Sequence, residues 1–153
     1  MSRSTAADGI FSDGQRELLR AAQNQLVPSE GAMPGAGDSG GPAVVERFLR
    51  QRAELREPVL MALEQLHAAA GGAGFAALPP DAQIAALQAV EQSHPGPFRE
   101  LVRQTYNAYY TNPEVQQALG YGGPPQPDGF QLEPLDEARL EGVKRRGKRW
   151  RDA

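Results

Sequence analysis

One loop of the sequence matches a motif that carries nucleophilic chemistry in other proteins. Residues 37–42 read Gly-Asp-Ser-Gly-Gly-Pro, as around the reactive serine of trypsin-like proteases. In those enzymes a histidine base precedes the serine in the chain, and the site is built on two β-barrels. Here both histidines, His67 and His94, follow Ser39, and the surrounding residues have a helical pattern. The sequence therefore predicts a loop of small residues rather than a protease site.

The same loop contains a glycine pattern found in dinucleotide-binding proteins. Gly35, Gly37 and Gly40 have the spacing G-x-G-x-x-G. That pattern binds a pyrophosphate only where it joins a strand to a helix in a βαβ unit. The segment before it, Pro28 to Pro34, has no strand-like alternation. We therefore expect no cofactor at these glycines.

The histidines and the absence of cysteine bear on metal binding. There is no cysteine, which excludes thiolate metal sites and disulfides. His67 and His94 are far apart and lack nearby acidic residues at ligand spacing. We expect both to be structural or to face solvent, and we expect no metal in this chain.

Three tyrosines, Tyr106, Tyr109 and Tyr110, lie on neighbouring faces of one predicted helix. One interpretation is core packing with the hydroxyl groups near water. The other is a protein interface, because tyrosine is enriched among residues that contribute most to binding. The sequence alone leaves both interpretations open.

The C-terminal tail is strongly basic, reading Lys-Arg-Arg-Gly-Lys-Arg-Trp-Arg over residues 144–151, although the formal net charge is -3. Clusters of Lys and Arg neutralise phosphates, so one hypothesis is a stand-alone helical nucleic-acid-binding protein. The remainder of the chain is acidic and would repel nucleic acid. We therefore favour either a solvated helix end or docking of the tail onto an acidic partner surface, and we expect no nucleic acid.

The composition is that of a folded domain: 153 residues, 40% apolar and 23% charged. No run of about 20 apolar residues exists, so we expect no membrane insertion. Start signals for helices include Ser12 with Gln15 at capping-box spacing, and Asn112-Pro113-Glu114. Pro58 is expected to end or kink a helix, and Ile84, Leu87 and Val90 to form a buried stripe.

These signals predict an all-α fold, a single compact domain of about six or seven helices with Gly/Pro-rich loops. We expect a flexible leader over residues 1–11, the helical domain over 12–143 and a basic tail over 144–153. In the last helix, Asp136 is the predicted cap, with Leu135 and Leu140 packing across it. Val115 and Leu119 are the predicted apolar face of the short helix before it.

The order of several segments resembles a known family. These segments are Phe-Ser-Asp-Gly-Gln-Arg-Glu-Leu-Leu at 11–19, Met-Pro-Gly-Ala at 33–36, Val-Val-Glu-Arg-Phe-Leu at 44–49, Phe-Ala-Ala-Leu-Pro-Pro-Asp-Ala-Gln at 75–83, Pro-Phe-Arg-Glu-Leu-Val at 97–102, Tyr-Tyr-Thr-Asn-Pro at 109–113 and Leu-Gly-Tyr-Gly-Gly at 119–123. Over about residues 11 to 151 the chain resembles the gluconate 2-dehydrogenase subunit 3 family. Its members are small accessory subunits of FAD-dependent sugar dehydrogenases of the glucose–methanol–choline oxidoreductase (GMC) type.

The resemblance implies that a larger GMC-type subunit binds FAD and oxidises the sugar or alcohol. This chain would be a non-catalytic subunit in a hetero-oligomer, with no cofactor of its own, that stabilises the partner or assists its maturation. Periplasmic members commonly carry a twin-arginine signal that also exports the partner, and residues 1–9 show none. We therefore expect a cytoplasmic protein, or a periplasmic one if a signal was removed.

Large aromatic side chains and tail cations are the residues that we expect to contact such a partner. Aromatic residues bury much area at little entropic cost, and cations steer association more than they add affinity. The predicted interface residues are Tyr106, Tyr109, Tyr110, Tyr121, Phe130, Arg149 and Trp150.

Overall fold

The structure, a computed structural model, describes residues 9–123 and 137–147. Within them lie seven α-helices: α1 (Asp13–Leu26), α2 (Gly41–Gln51), α3 (Arg56–Ala70), α4 (Pro80–Ser93), α5 (Pro95–Tyr110), α6 (Pro113–Ala118) and α7 (Glu137–Arg146). Short 3₁₀ turns occupy Ala53–Leu55, Gly71–Ala73 and Phe75–Ala77. These residues contain no β-strand, only a single bridge between Glu30 and Met33. The all-α prediction is confirmed.

The helix starts follow local capping chemistry. The Ser12 hydroxyl accepts the backbone N–H of Gln15 at 3.2 Å, and the Gln15 side chain accepts the N–H of Ser12 at 2.9 Å. This is the predicted capping box at the start of α1. At α6 the Asn112 side chain accepts the N–H of Glu114 at 2.8 Å, ahead of Pro113. Both predicted starts are confirmed.

The junction between α2 and α3 differs from the prediction at Pro58. Helix α2 ends seven residues earlier, at Gln51, and Pro58 is the third residue of α3. The Arg56 side chain donates to the carbonyl of Leu49 at 2.7 Å, so one of the last carbonyls of α2 is satisfied. Proline is tolerated in the first turn of a helix, because an N–H there has no partner within the helix. Pro58 therefore neither ends nor kinks a helix.

Helix α4 is rotated relative to the predicted buried stripe. Leu87 and Val90 are buried, as expected, but the Ile84 side chain is 42% exposed. Gln83 is buried instead, where its amide donates to the carbonyl of Phe75 at 3.0 Å and accepts from Gln25 at 2.7 Å. These two hydrogen bonds to other elements fix the orientation of α4, so the prediction for Ile84 is wrong.

The core of the first part of the chain is centred on α3. This helix packs most extensively against α5 and α4, and it also contacts α1. Four of its residues are at most 1% exposed: Val59, Ala62, Leu63 and Leu66. They meet buried residues of the flanking helices, among them Leu19, Val45 and Leu101. The spacing of the four residues on one helix face explains why α3 occupies the centre.

A partly buried ion cluster joins the segment before α1 to α2. The Glu46 side chain is 8% exposed and is paired with Arg16 and with Arg50. It also accepts the backbone N–H of Ile10 at 2.8 Å. Burial alone would raise the pKa of Glu46, but the hydrogen bonds from Arg16 and Ile10 and the charges of Arg16 and Arg50 lower it overall. The cluster therefore holds the segment before α1 in a fixed position against α2.

The chain divides into two units, one up to Tyr121 and one from Gly122 onward. The described part of the second unit is mainly α7, which has basic residues in its last turn. There the guanidinium groups of Arg145 and Arg146 donate to the carbonyls of Glu141 and Gly142, a favourable use of cations at a helix C-terminus. The predicted cap Asp136 and its neighbour Leu135 lie outside the described residues. No helix among the described residues is long and apolar enough to cross a membrane.

Candidate functional site

The Gly-rich loop before α2 is bound firmly to α1. Asn24 of α1 accepts the backbone N–H groups of Gly37 and Asp38, at 2.9 and 3.2 Å. The carboxylate of Asp38 pairs with Arg20, also on α1, at 2.6 Å. Hydrogen bonds from Arg20, and then from Asn24, hold the pKa of Asp38 below its ordinary value. Asp38, the acidic residue of the protease-like motif, is therefore part of a structural ion pair.

The hydroxyl of Ser39 is likewise engaged within its own loop. It donates to the carbonyl of Ala36 at 3.0 Å, and the carbonyl of Ser39 accepts from the side chain of Asn112 at 2.6 Å. A serine nucleophile would instead donate to a base. The loop joins α1 to the residue that caps α6, which is a structural role.

Glycine is required in this loop because the backbones approach closely. A Cβ atom on Gly37 would lie 2.1 Å from the backbone oxygen of Arg20. One on Gly41 would lie 2.4 Å from the backbone oxygen of Ala36. The spacing that resembles a dinucleotide motif therefore reflects packing of a loop against α1, and the predicted loop interpretation fits this geometry.

The two histidines lie at separate positions. His67 is exposed near the end of α3, and His94 precedes α5, with its Nδ1 atom 3.0 Å from the hydroxyl of Ser93. Among the described residues, no group of three or more histidine or acidic side chains could hold a metal ion.

The structure separates the tyrosines of α5 into two environments. Tyr106 and Tyr110 are 43% and 51% exposed, and their rings stack with centroids 6.1 Å apart. Tyr109 is only 3% exposed and packs in a small cluster with Ala36 and Val115. Burial, with a smaller contribution from Tyr110, raises the pKa of Tyr109. Tyr109 therefore belongs to the core, and the other two form a stacked pair on the surface.

Apolar side chains are also exposed just after α6. Leu119, predicted with Val115 to be the apolar face of α6, follows the end of that helix and is 56% exposed, whereas Val115 is fully buried. Tyr121 is 51% exposed. We call Tyr106, Tyr110, Leu119 and Tyr121 the aromatic surface set. The remaining predicted interface residues, Phe130, Arg149 and Trp150, lie outside the described residues.

A polar hollow of about 230 Å³ lies beside α5. Its lining includes Asn107, one turn before Tyr110, and Arg52, which has no ion pair within the described residues. The hollow therefore places hydrogen-bonding groups of α5 next to Arg52, the residue that follows α2. Polar groups around aromatic side chains are the usual composition of a protein interface.

A larger groove lies between α1 and α3, with a volume of about 700 Å³. Leu60 is the partly buried large apolar residue of its lining, and Leu18, Leu63 and Phe75, which are at most 6% exposed, lie behind it. The other lining residues are small or polar: Ser12, Gly14, Gln15, Glu17, Glu64, His67, Ala73, Gly74, Ala76 and Ala77. We call it the α1–α3 groove. It exists because several positions around it have no large side chain; a Cβ on Gly14 would meet nothing within 4 Å.

The helical patterns of the sequence do not reveal this groove. The available signal is the concentration of Gly and Ala over residues 68–77. A run of small residues predicts a groove only when the element packed opposite it is known. Here that element is the first turn of α1.

Neither a curated protein nor a solved structure matches the chain. A family model does match, over residues 13–123, and it describes gluconate 2-dehydrogenase subunit 3. This match spans α1 to α6 with the aromatic surface set and the α1–α3 groove. Because it covers well over half of the chain, this protein belongs to the gluconate 2-dehydrogenase subunit 3 family, whose name designates a subunit of a dehydrogenase.

Proposed function

We propose that this chain is a non-catalytic subunit that binds and stabilises a larger FAD-dependent oxidoreductase of the GMC type, which oxidises a sugar or alcohol. The observation that carries the proposal is the family match over residues 13–123. In this proposal the partner holds the FAD, and the two chains form a hetero-oligomer.

The aromatic surface set supplies the contact surface in this proposal. Tyr106 and Tyr110 are two large side chains that remain exposed in contact with each other, and adjoining exposed aromatic residues are a feature of binding surfaces. Stacking of Tyr106 on Tyr110 restricts both rings before binding, so less side-chain entropy is lost on association. Tyrosine also keeps a hydroxyl for hydrogen bonds at the edge of an interface.

The described part of the basic segment fits protein association better than nucleic-acid binding. Arg145 and Arg146 use guanidinium N–H groups on carbonyls of α7, and Lys144 lies 3.8 Å from Glu141. The family region, residues 13–123, carries twelve acidic residues against eight arginines and no lysine. Such a surface would oppose approach to a polyanion.

The proposal is tested by purifying an affinity-tagged chain from its native host. We expect a larger protein in about equal amount, with flavin absorbance in the eluate and sugar or alcohol dehydrogenase activity. Absence of any flavoprotein, or recovery of nucleic acid with a steep salt dependence, would contradict the proposal.

A double variant, Tyr106→Ser with Tyr110→Ser, tests the surface. We expect the dissociation constant for the purified partner to rise about tenfold or more, because central aromatic residues dominate interface energies. The matched control is Ile84→Ser, which removes an exposed apolar side chain from α4. An equal effect of the control would show that the aromatic surface set has no special role.

A further inference from the structure

Two carboxylates flank the α1–α3 groove on different helices. Glu17 lies on α1 and Glu64 on α3; both line the groove and both are exposed. Neither makes an ion pair or a side-chain hydrogen bond with any residue that the structure describes. By contrast, Glu46 and Asp38 are paired with arginines. The groove therefore carries negative charge that its own surroundings leave unpaired.

The floor between these carboxylates is apolar. Its accessible apolar residues are Leu60, which is partly buried, and the exposed alanines Ala73, Ala76 and Ala77. Leu18, Leu63 and Phe75 lie behind them and are at most 6% exposed. A volume of about 700 Å³ exceeds what one side chain fills and is comparable to sites that enclose a sizeable ligand. The groove can therefore accommodate several consecutive residues of a bound segment.

The chemistry that complements this arrangement is an apolar side chain next to a cation. Arg and Lys bury their aliphatic stems against apolar surface while the charged end stays near water and anions. Opposite charges across an interface add specificity and speed association. His67 is the only basic residue in the lining, so the cation must come from the bound segment.

We propose that the α1–α3 groove docks a segment of the large subunit that carries an arginine or lysine beside one or more large apolar side chains. This inference rests on the proposed function, and it adds a contact built from α1 and α3 to the one built from the aromatic surface set on α5 and α6. The segment's apolar side chains lie on Leu60 and the exposed alanines of the groove, and its cation lies between Glu17 and Glu64.

Two kinds of variant test the groove. The probe is the large subunit that copurifies with the wild-type chain. Glu17→Gln combined with Glu64→Gln removes the charge, and we expect the dissociation constant to rise about five- to tenfold and its salt dependence to weaken. The charge control is Glu91→Gln, an exposed residue of α4 outside the groove. Gly14→Trp fills the groove and should weaken binding by at least as much.

The steric control for Gly14→Trp is Gly96→Trp. Each glycine is the second residue of its helix, and a Cβ on either meets nothing within 4 Å. The two variants therefore carry similar intrinsic costs, and only one fills the groove. Circular dichroism and a thermal melt establish that each variant is folded before its affinity is compared.

A photo-crosslinking amino acid at position 77, on the rim of the groove, identifies the bound segment by mass spectrometry. A crosslink to a segment of the flavoprotein with Arg or Lys next to apolar residues supports the inference. Crosslinks confined to this chain or to an acidic segment would overturn it. If the groove variants bind like wild type while the Tyr106/Tyr110 variant is weakened, the groove inference fails and the proposed function stands. If the wild-type chain binds no flavoprotein, both fail.

Discussion

The carboxylate of Glu46 receives two N–H groups from the guanidinium of Arg16, at 3.2 Å from Nε and 3.3 Å from Nη2. The two residues are 30 positions apart in the chain and belong to different helices. The Glu46 side chain is 8% exposed and that of Arg16 is 39% exposed. The pair therefore has a desolvated acceptor and a donor that still reaches water.

Replacing Glu46 with alanine should lower the free energy of unfolding by about 1–3 kcal/mol, because the partly buried N–H of Ile10 loses its acceptor and Arg16 loses an ion-pair partner. Urea denaturation measures this change. Glu91→Ala on α4 is the control, and a surface substitution of that kind should change stability by less than about 0.5 kcal/mol. Equal effects of the two substitutions would contradict the structural role of Glu46.

Stability should also fall in acid through Glu46. Its folded-state pKa is lowered, so its contribution is present above the unfolded value, about 4.3, and is lost as the pH falls through the lower folded value. We expect the free energy of unfolding to decrease below about pH 4 in wild type. Glu46→Gln should have lower stability at neutral pH and a shallower decrease in acid. Parallel pH curves for the two proteins would rule this out.

Substitution of Gly37 by alanine should destabilise the protein by about 2 kcal/mol, because the added methyl group would overlap the backbone of α1 at Arg20. The contrasting variant is Gly14→Ala, which has open space and lies in a helix. It should increase the free energy of unfolding by about 0.5–1 kcal/mol. In thermal melts, we expect a lower melting temperature for Gly37→Ala and a higher one for Gly14→Ala. Similar melting temperatures would mean that the loop yields to the added group.

Deleting residues 144–153 removes the basic tail and should weaken association with the large subunit, mainly by slowing it, with the difference diminishing at high salt. Association rates at two ionic strengths provide the measurement. An unchanged dissociation constant and an unchanged rate for the truncated chain would exclude a role for the tail in binding.

Local chemistry explains what the sequence predicted well. The capping box of Ser12 and Gln15, and the cap of Asn112 before Pro113, each involve residues two or three apart, so their helix starts could be recognised without knowledge of the fold. The loop interpretation holds for residues 37–40, and α2 begins at Gly41. It could be reached from the sequence because no histidine precedes Ser39 and no strand-like segment precedes the glycines.

Orientation and surface shape could not be predicted in the same way. Ile84 is exposed because Gln83 binds Gln25 and Phe75, which are distant in the chain, and no periodicity reveals such partners. Tyr109 and Tyr110 are adjacent, yet one is buried and the other is half exposed. The α1–α3 groove results from side chains that are missing on two separate elements, so it became visible only when those elements were placed together.

The hydrogen bonds of the Gly-rich loop limit the changes in length that this loop can tolerate. A segment with this composition would ordinarily accept insertions and be cut readily by proteases. Here Asn24, Arg20 and Asn112 fix it at three points. An added residue would shift Ser39 away from Asn112, and thereby displace the start of α6 next to the end of α5. The loop thus acts as a spacer of fixed length that holds the cap of α6 in place.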